Sequence, residues 1–508
     1  MKNKTLILFG FILAKFIIQY SLISPDYELH RDEYLHLDQG RHLAWGYFSV
    51  PPVTSWISYI ILLLGNGVFW IKFFPALFGA LTLLVVWKTI EELSGGLFAL
   101  CLGTLSVLLS AILRINILYQ PNSLDILLWT LVYFTIIKYI NSGNYKWLYI
   151  AAVTFALGFL NKYSIVFLFL CLLPAILLTA QRIIFFKKHI FFAVALGLLI
   201  ISPNLIWQYN NNFPVFHHLE ELTKTQLVNG SRTDFLKEQI IFFFGSILVV
   251  AAALISFIIY LPFKKYRLFF WSFLFTLSLL AYFRAKGYYA IGLYPFLLAF
   301  GSVYIEQLLK ERWTIYLRPV AIALPILIFI PLFRIAFPNN SPDYIQQNAQ
   351  RYKDLNLLRW EDGKDHSLPQ DFADMLGWKE LAQKVDSAYA SIADKDHTLV
   401  LCDNYGQAGA INYYSKNKNI QAVSFNADYI NWFPLSRQLL HVVLIKEEGD
   451  TDKNREKEKQ LFTTVMQFDQ INNPFAREKN TNIYILKNAS FDLNKRIREE
   501  LEKKKNEH

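Results

Sequence analysis

The sequence predicts an α-helical polytopic membrane protein with about eleven transmembrane helices and a C-terminal soluble α/β domain. Three observations predict it. Of 508 residues, 54% are hydrophobic and 16% aromatic, where a soluble chain is roughly 45–50% apolar. The excess is confined to the part before about Phe337, a succession of runs rich in Phe, Leu and Ile; beyond it Lys, Asp, Asn and Gln dominate. Finally, basic residues recur in alternate links between the apolar runs, as they do when helices are oriented across a bilayer. The break in composition divides the chain into residues 1–338, a membrane domain, and residues 339–508, a soluble domain.

The first element follows a basic start, Lys2 to Lys4, and runs over residues 5–23. It is not read as a signal peptide: no small-residue cleavage site follows and more apolar runs do. Further spans are predicted at 68–90, 97–113, 121–140, 147–160, 163–180, 189–206, 239–261, 268–283, 288–308 and 319–336. Residues 53–65 are apolar but short and follow Pro51-Pro52, which suits a helix lying in the membrane interface.

With the N-terminus inside, the inner links hold Lys146, then Arg182, Lys187 and Lys188, then Lys264, Lys265 and Arg267, then Lys310, Arg312 and Arg318. The outer links 24–52 and 207–238 are long and of mixed charge. One outer link breaks the rule with the basic pair Arg284-Ala285-Lys286. An odd number of spans puts the soluble domain outside. In that domain residues 397–402, 441–445 and 483–486 read as buried strands and 378–388 as a helix, with a loop at 404–410 after the first strand. No nucleotide-binding glycine motif follows any strand.

The net charge of +10 does not imply nucleic acid, because the basic residues sit in membrane links and in the Lys/Glu-rich tail 495–505 rather than on a folded patch. The three cysteines, Cys101, Cys171 and Cys402, show neither a pairing framework nor metal-type spacing.

Ionisable groups at a membrane edge are costly and mark sites. The densest cluster is the first outer loop, with Asp26, Glu28, His30, Arg31, Asp32, Glu33, His36, Asp38, Arg41 and His42, closing on Trp45-Gly46-Tyr47-Phe48. Residues 32–45 have helical spacing. Adjacent carboxylates beside aromatic anchors suit an amphiphilic substrate; a solvated loop whose charges pair internally is the plain alternative. A second cluster gathers Arg114, Asn116, Gln120, Asn122 and Asp125 at one membrane edge, although Pro121 and Asp125 also suit an ordinary helix start. Third, Arg284 and Lys286 stand before Tyr288-Tyr289 at a helix N-terminus, where cations and free N–H groups make an anion site. Fourth, Trp207-Gln208 with Asn210 to Asn212 offers aromatic and amide groups to a hydroxyl-rich ligand.

Taken in order, several segments resemble the PMT/ArnT-like branch of the GT-C glycosyltransferases, the bacterial glycosyltransferase family 39-like proteins. They are Arg31-Asp32-Glu33-Tyr34 through Gly46-Tyr47-Phe48 and Pro51-Pro52, Gln120-Pro121 with Asp125, and Asn161-Lys162-Tyr163-Ser164. Pro203-Asn204-Leu205-Ile206-Trp207-Gln208, Lys286-Gly287-Tyr288-Tyr289 with Tyr294-Pro295, and Asn404-Tyr405-Gly406-Gln407-Ala408-Gly409-Ala410 complete the set. The resemblance implies a polyprenyl-phosphate-linked sugar donor, an active site on the outer face of a bacterial cytoplasmic membrane, and inversion at the anomeric carbon. It maps the catalytic carboxylate onto Asp32, with Glu33 beside it, and a second acidic position onto Asp125. One departure stands out: many relatives carry His, Glu or Lys just before the Pro-Pro, and this chain has Val50.

The resulting expectation is an inverting, mannosyltransferase-like enzyme that moves a sugar to a protein, lipid or glycan acceptor. Asp32 is the expected base, with Glu33 and Asp125 in support. Arg284, Lys286, Tyr288 and Tyr289 take the donor phosphate, and His36, Arg41, Gln120, Asn122, Trp207 and Gln208 bind substrate. The sequence names no metal ligand set, which leaves a divalent ion possible and unassigned. A lipid-linked sugar flippase or membrane transporter is the alternative; it would favour charges near mid-bilayer and internal repeats.

Overall fold

A computed structural model describes residues 2–452 and 454–507, with the side chains of Lys2, Asn506 and Glu507 excepted. Helix α1 (Lys2–Ser21) is followed by the loop expected to be the first outer one, which folds into α2 (Arg31–Gln39), and then by α3 (Val53–Leu63). The bundle continues with α4 (Val68–Glu92), α5 (Leu97–Leu108), the single-turn α6 (Ala111–Ile115), α7 (Asn122–Ser142), α8 (Lys146–Asn161), α9 (Ile165–Leu177) and α10 (Lys188–Asn210). A segment expected to be outer holds α11 (Pro214–Thr225) and α12 (Arg232–Phe242), and α13 (Ile247–Ile259), α14 (Arg267–Tyr282), α15 (Tyr294–Leu308) and α16 (Arg318–Ala336) close the bundle.

A helix stands at each predicted span. Among the described residues six are long and apolar enough to cross a membrane alone, and up to eight if each of two bent pairs forms one span. The difference is one of breakage and of length, since α8 and α14 are unbroken but only 16 residues long. The apolar run 97–113 is split by a turn at Leu109-Ser110 into α5 and α6, and α9 meets the following turn of helix at 106°. At about 1.5 Å per residue, such pieces fall short of a bilayer's thickness.

At the centre of the bundle one core buries the side chains of Trp87, Trp129, Tyr133, Phe269, Phe296 and Phe300. By contrast α1 shows Leu6, Phe9, Leu13 and Ile17 to the outside, and α10 shows Phe191, Leu198 and Leu199. An apolar rim around an apolar centre suits a bundle solvated by lipid.

After α16 come three short helices, α17 (Pro342–Gln347), α18 (Ala349–Asp354) and α19 (Gln370–Ala373), then α20 (Trp378–Ala390), α21 (Tyr405–Tyr414), α22 (Glu456–Lys459) and α23 (Leu493–Glu507). They flank a five-stranded sheet of β1 (Thr398–Cys402), β2 (Ala422–Ser424), β3 (His441–Lys446), β4 (Phe462–Gln470) and β5 (Asn482–Ala489), in the order β2-β1-β3-β5-β4. β1 runs parallel to β2 and β3; β5 is antiparallel to both its neighbours.

Alternate strand residues part to the two faces, as the pleat requires. Val400, Val443, Ile445 and Ile485 join α20 and α21. Leu399, Val442, Leu444 and Leu486 pack with Leu493, Ile497 and Leu501 of α23.

The first of these cores does not stop at residue 338. Tyr27, Leu29, Tyr34, Leu35 and Leu37 of the first outer loop belong to it, together with Trp378, Ala408 and Ile411. Backbone bonds reinforce the join: Glu28 N–H donates to Met375 at 2.8 Å and Arg31 N–H to Asp374 at 3.1 Å. Gly409 permits the approach, since a Cβ there would come within 2.6 Å of Tyr34 Cβ. The loop that carries Asp32 is thus clamped between the membrane helices and the C-terminal sheet.

Candidate active site

Helix α2 begins at His30. The His30 ring accepts the Asp32 N–H at 3.2 Å, and the Glu33 carboxylate accepts the His30 N–H at 2.7 Å. This reciprocal cap fixes the helix phase. Successive residues then point about 100° apart, so Asp32 and Glu33 part company. Asp32 faces a cavity of about 330 Å³ at the junction of bundle and C-terminal domain. Glu33 turns inward and is fully buried; Lys72 Nζ reaches its two oxygens at 2.6 and 2.8 Å, and Tyr119 N–H donates to it at 2.7 Å. Such a sealed carboxylate anchors the loop rather than meeting a ligand.

Asp32 keeps 34% of its side chain exposed. Its oxygens accept the Tyr405 hydroxyl at 2.6 Å and the Gln120 amide at 2.9 Å. Burial pushes this carboxyl up, but His30, the Arg31 guanidinium and the Tyr405 hydroxyl outweigh it and hold it at about 2. The converse applies to His30, 3.8 Å away. Burial pushes the imidazolium down, while Asp32 and Asp374 more than offset that and raise it to about 9. Asp32 is therefore ionised in the neutral range, and the pull of Asp32 and Asp374 toward a protonated ring competes with the Nδ1 lone pair that accepts the Asp32 N–H. Arg31 lies 4.5 Å over the Tyr405 ring, which fixes the hydroxyl aimed at Asp32.

The same cavity holds a cation. Lys286, Tyr288 and Tyr289 line it, as do Gln120, Asn122 and His36. Burial lowers the Lys286 ammonium, but Glu361, Tyr289 and Asp32 reverse the effect and hold it above its ordinary range. Burial keeps the His36 ring below its usual value, hence neutral near pH 7.

Lys162 also lines the cavity. It donates to Asn122 Oδ1 at 2.7 Å and stands 4.3 Å from the Tyr289 ring centre. Among the described residues no carboxylate lies within salt-bridge distance of it. The sequence signal for Lys162 was present: a lysine in the outer link 161–162 opposes the positive-inside pattern as Lys286 does. Tyr405 was legible only as part of the loop after β1.

Five other expected residues lie off this cavity. Asp125 is buried in the first turn of α7, held by Ser164 Oγ at 2.9 Å and Trp129 Nε1 at 3.0 Å. Arg284 sits at a positive φ of 51° with an exposed side chain, because the chain reverses there between α14 and the next turn. Arg41 follows the end of α2 and lines a separate pocket with Asp38, His42 and Trp432. The Trp207 ring packs against Gly46, where a Cβ would strike it. Gln208 donates to the Tyr163 hydroxyl at 2.7 Å. These last two brace the outer loops.

A second lobe of about 430 Å³ opens from Asp32 toward the C-terminal domain and is lined by Arg31, Glu361, Asp374 and Arg477. Among the described residues no group of three or more His, Cys, Asp or Glu side chains lies close enough together to hold a metal ion. No metal ligand set is therefore assigned.

Residues 49–207 match the family model of dolichyl-phosphate-mannose-protein mannosyltransferases. The match takes in Gln120, Asn122 and Lys162 and begins after Asp32. No curated protein matches the chain. Among solved structures, ArnT from Cupriavidus metallidurans in the apo state aligns with a TM-score of 0.64 at 13% identity, covering 95% of this chain and 98% of that one. ArnT from the same organism bound to undecaprenyl phosphate aligns at 0.60 and 12% identity, covering 94% and 97%. The chain has an ArnT-like fold. That fold includes the C-terminal sheet, since the alignment spans nearly the whole of both chains. A multi-pass membrane protein is the setting that fold and the apolar helices share.

Proposed function

We propose that this protein is an inverting glycosyltransferase that moves a sugar from a polyprenyl-phosphate donor to a hydroxyl or amine of an extracytoplasmic protein, lipid or glycan. The observation that carries the reading is the placing of an ionised carboxylate, Asp32, and two lysines, Lys162 and Lys286, around one cavity. The family match and the ArnT-like fold support it, as does the undecaprenyl phosphate bound in one ArnT structure. The charge pattern of the links supports a C-terminal domain outside a cytoplasmic membrane.

In this reading the donor's phosphate meets Lys162 and Lys286. As the bond from the anomeric carbon to the phosphate oxygen breaks, the electron pair passes to that oxygen, and the two ammonium groups stabilise the growing charge. The acceptor oxygen or nitrogen forms its bond on the opposite face of the anomeric carbon, giving inversion, and its proton passes to Asp32. A carboxyl near 2 is a weak base toward a neutral hydroxyl. The attacking oxygen becomes strongly acidic as its new bond forms, so the proton moves late. Tyr405 and Gln120 leave the carboxylate fixed in position while this happens.

The test uses the purified protein in proteoliposomes with a radiolabelled polyprenyl-phosphate sugar and a membrane extract as acceptor source. Label leaving the lipid for a new product supports transfer; label that crosses the bilayer still on its lipid would instead make the protein a transporter.

A further inference from the structure

The loop after α18 forms a tight hairpin, with Arg359 bridged to Asp365, the Trp360 and His366 rings stacked at 3.7 Å and Gly363 at φ 76°. At its tip Glu361 pairs directly with Lys286. The geometry points to Glu361 as a resident counter-ion that occupies the phosphate's place on Lys286 and is expelled when the donor binds. This inference rests on the functional reading above and adds to it how the C-terminal domain takes part in donor binding.

Three observations carry it. Lys286 lines the donor cavity, and among the described residues Glu361 is its carboxylate partner. A phosphate brought to Lys286 would therefore meet a like charge held against the same ammonium group, and close like charges repel strongly where water is scarce.

The hold on Glu361 is also made to be released. Its second oxygen accepts the Gln370 amide at 3.1 Å, its own N–H donates to Gln370 Oε1 at 2.9 Å, and Asn229 donates to its carbonyl at 2.9 Å. Glu361 keeps 38% of its side chain exposed, so polar bonds rather than packing fix it.

Finally, the hairpin leans through Asn229 on the link between α11 and α12, and the end of α11 and that link also line the cavity with Glu221 and Gln226. Among the described residues nothing donates to the buried Gln226 Oε1, which leaves an acceptor for a sugar hydroxyl once a donor enters. Donor phosphate, hairpin and outer segment are thus joined through one carboxylate.

The test measures polyprenyl phosphate binding, without sugar, to the full-length protein in lipid nanodiscs. Glu361→Gln keeps the shape and the Gln370 contact but removes the charge. It is expected to bind the lipid roughly ten-fold tighter and to lower the donor KM by a similar factor without raising kcat. Gln370→Ala, which loosens the clamp, is expected to shift affinity the same way by a smaller factor. In a Lys286→Ala background Glu361→Gln should change nothing further, an outcome that a merely structural role does not produce.

Unchanged or weaker binding by Glu361→Gln, in a protein whose wild type binds and transfers, would overturn the counter-ion role alone. A wild type that neither binds the lipid phosphate nor transfers sugar would remove the functional reading and this inference with it.

Discussion

The two faces of α2 carry neighbouring carboxylates into different surroundings. On one face Asp32 is a third exposed, bonded to two neutral donors and open to a cavity. On the other Glu33 has no exposed surface and is locked to Lys72 and the Tyr119 backbone. One residue of helical rotation separates a group that can meet a substrate from a group that fixes where the first one stands. The difference teaches that a run of acids at a membrane edge holds both the site and its foundation, and that only burial separates them.

Breaking the two faces separately should give opposite signatures. Asp32→Asn removes the proton acceptor and is expected to cost about a thousand-fold in transfer rate, with folding close to wild type; steady-state assay and thermal melting of the same preparation check both halves. Glu33→Gln leaves Lys72 buried beside a neutral group. It is expected to lose on the order of 3 kcal/mol of stability, seen as a lower melting temperature and poor yield, with residual activity in whatever folds.

Across the cavity, Lys162→Ala should lower kcat/KM roughly a hundred-fold, the loss expected of a cation facing developing charge. The same change at Arg284, which lies off the cavity, should leave the kinetics near wild type. Tyr405→Phe removes one bond to Asp32 and is expected to slow transfer about ten-fold.

The smallest effect is on pH. His30 is raised from 6.5 to about 9, so its stabilising contribution is complete below about 6.5 and is lost as pH rises through about 9. Asp32 is lowered from 3.8 to about 2, so its contribution is present above about 3.8 and is lost as pH falls through about 2. Hydrogen exchange at the start of α2 should be slowest between these limits, and in Asp32→Asn the alkaline loss should move to lower pH.

Much of this architecture was legible in the sequence. Each predicted span met a helix, and β1, β3 and β5 were read from continuous apolar runs. The sequence did not give away β2, at three residues, or β4, an edge strand whose outward positions are polar. Helix α2 ends at Gln39 rather than near residue 45, because Gly40 lies against α3, where a Cβ would come within 2.6 Å of Ser58 Cβ.

In the site, Asp32, Gln120, Asn122, Lys286, Tyr288 and Tyr289 were readable as polar or aromatic groups at a membrane edge. Tyr405 was not, since it reaches Asp32 from 373 residues away. Asp125 and Arg284 shared the same edge in sequence, yet tertiary packing turned both from the cavity. Periodicity fixes which residues lie at a given depth; it does not fix which way each one faces.

The measurement that bears most directly on the account is a structure of the protein with polyprenyl phosphate bound. The account places the phosphate within hydrogen-bond reach, about 3 Å, of Lys162 and Lys286, with Asp32 across the cavity from it. A phosphate bound at Arg284, at the separate pocket beside Arg41, or at the ends of the helices away from the C-terminal domain would contradict it.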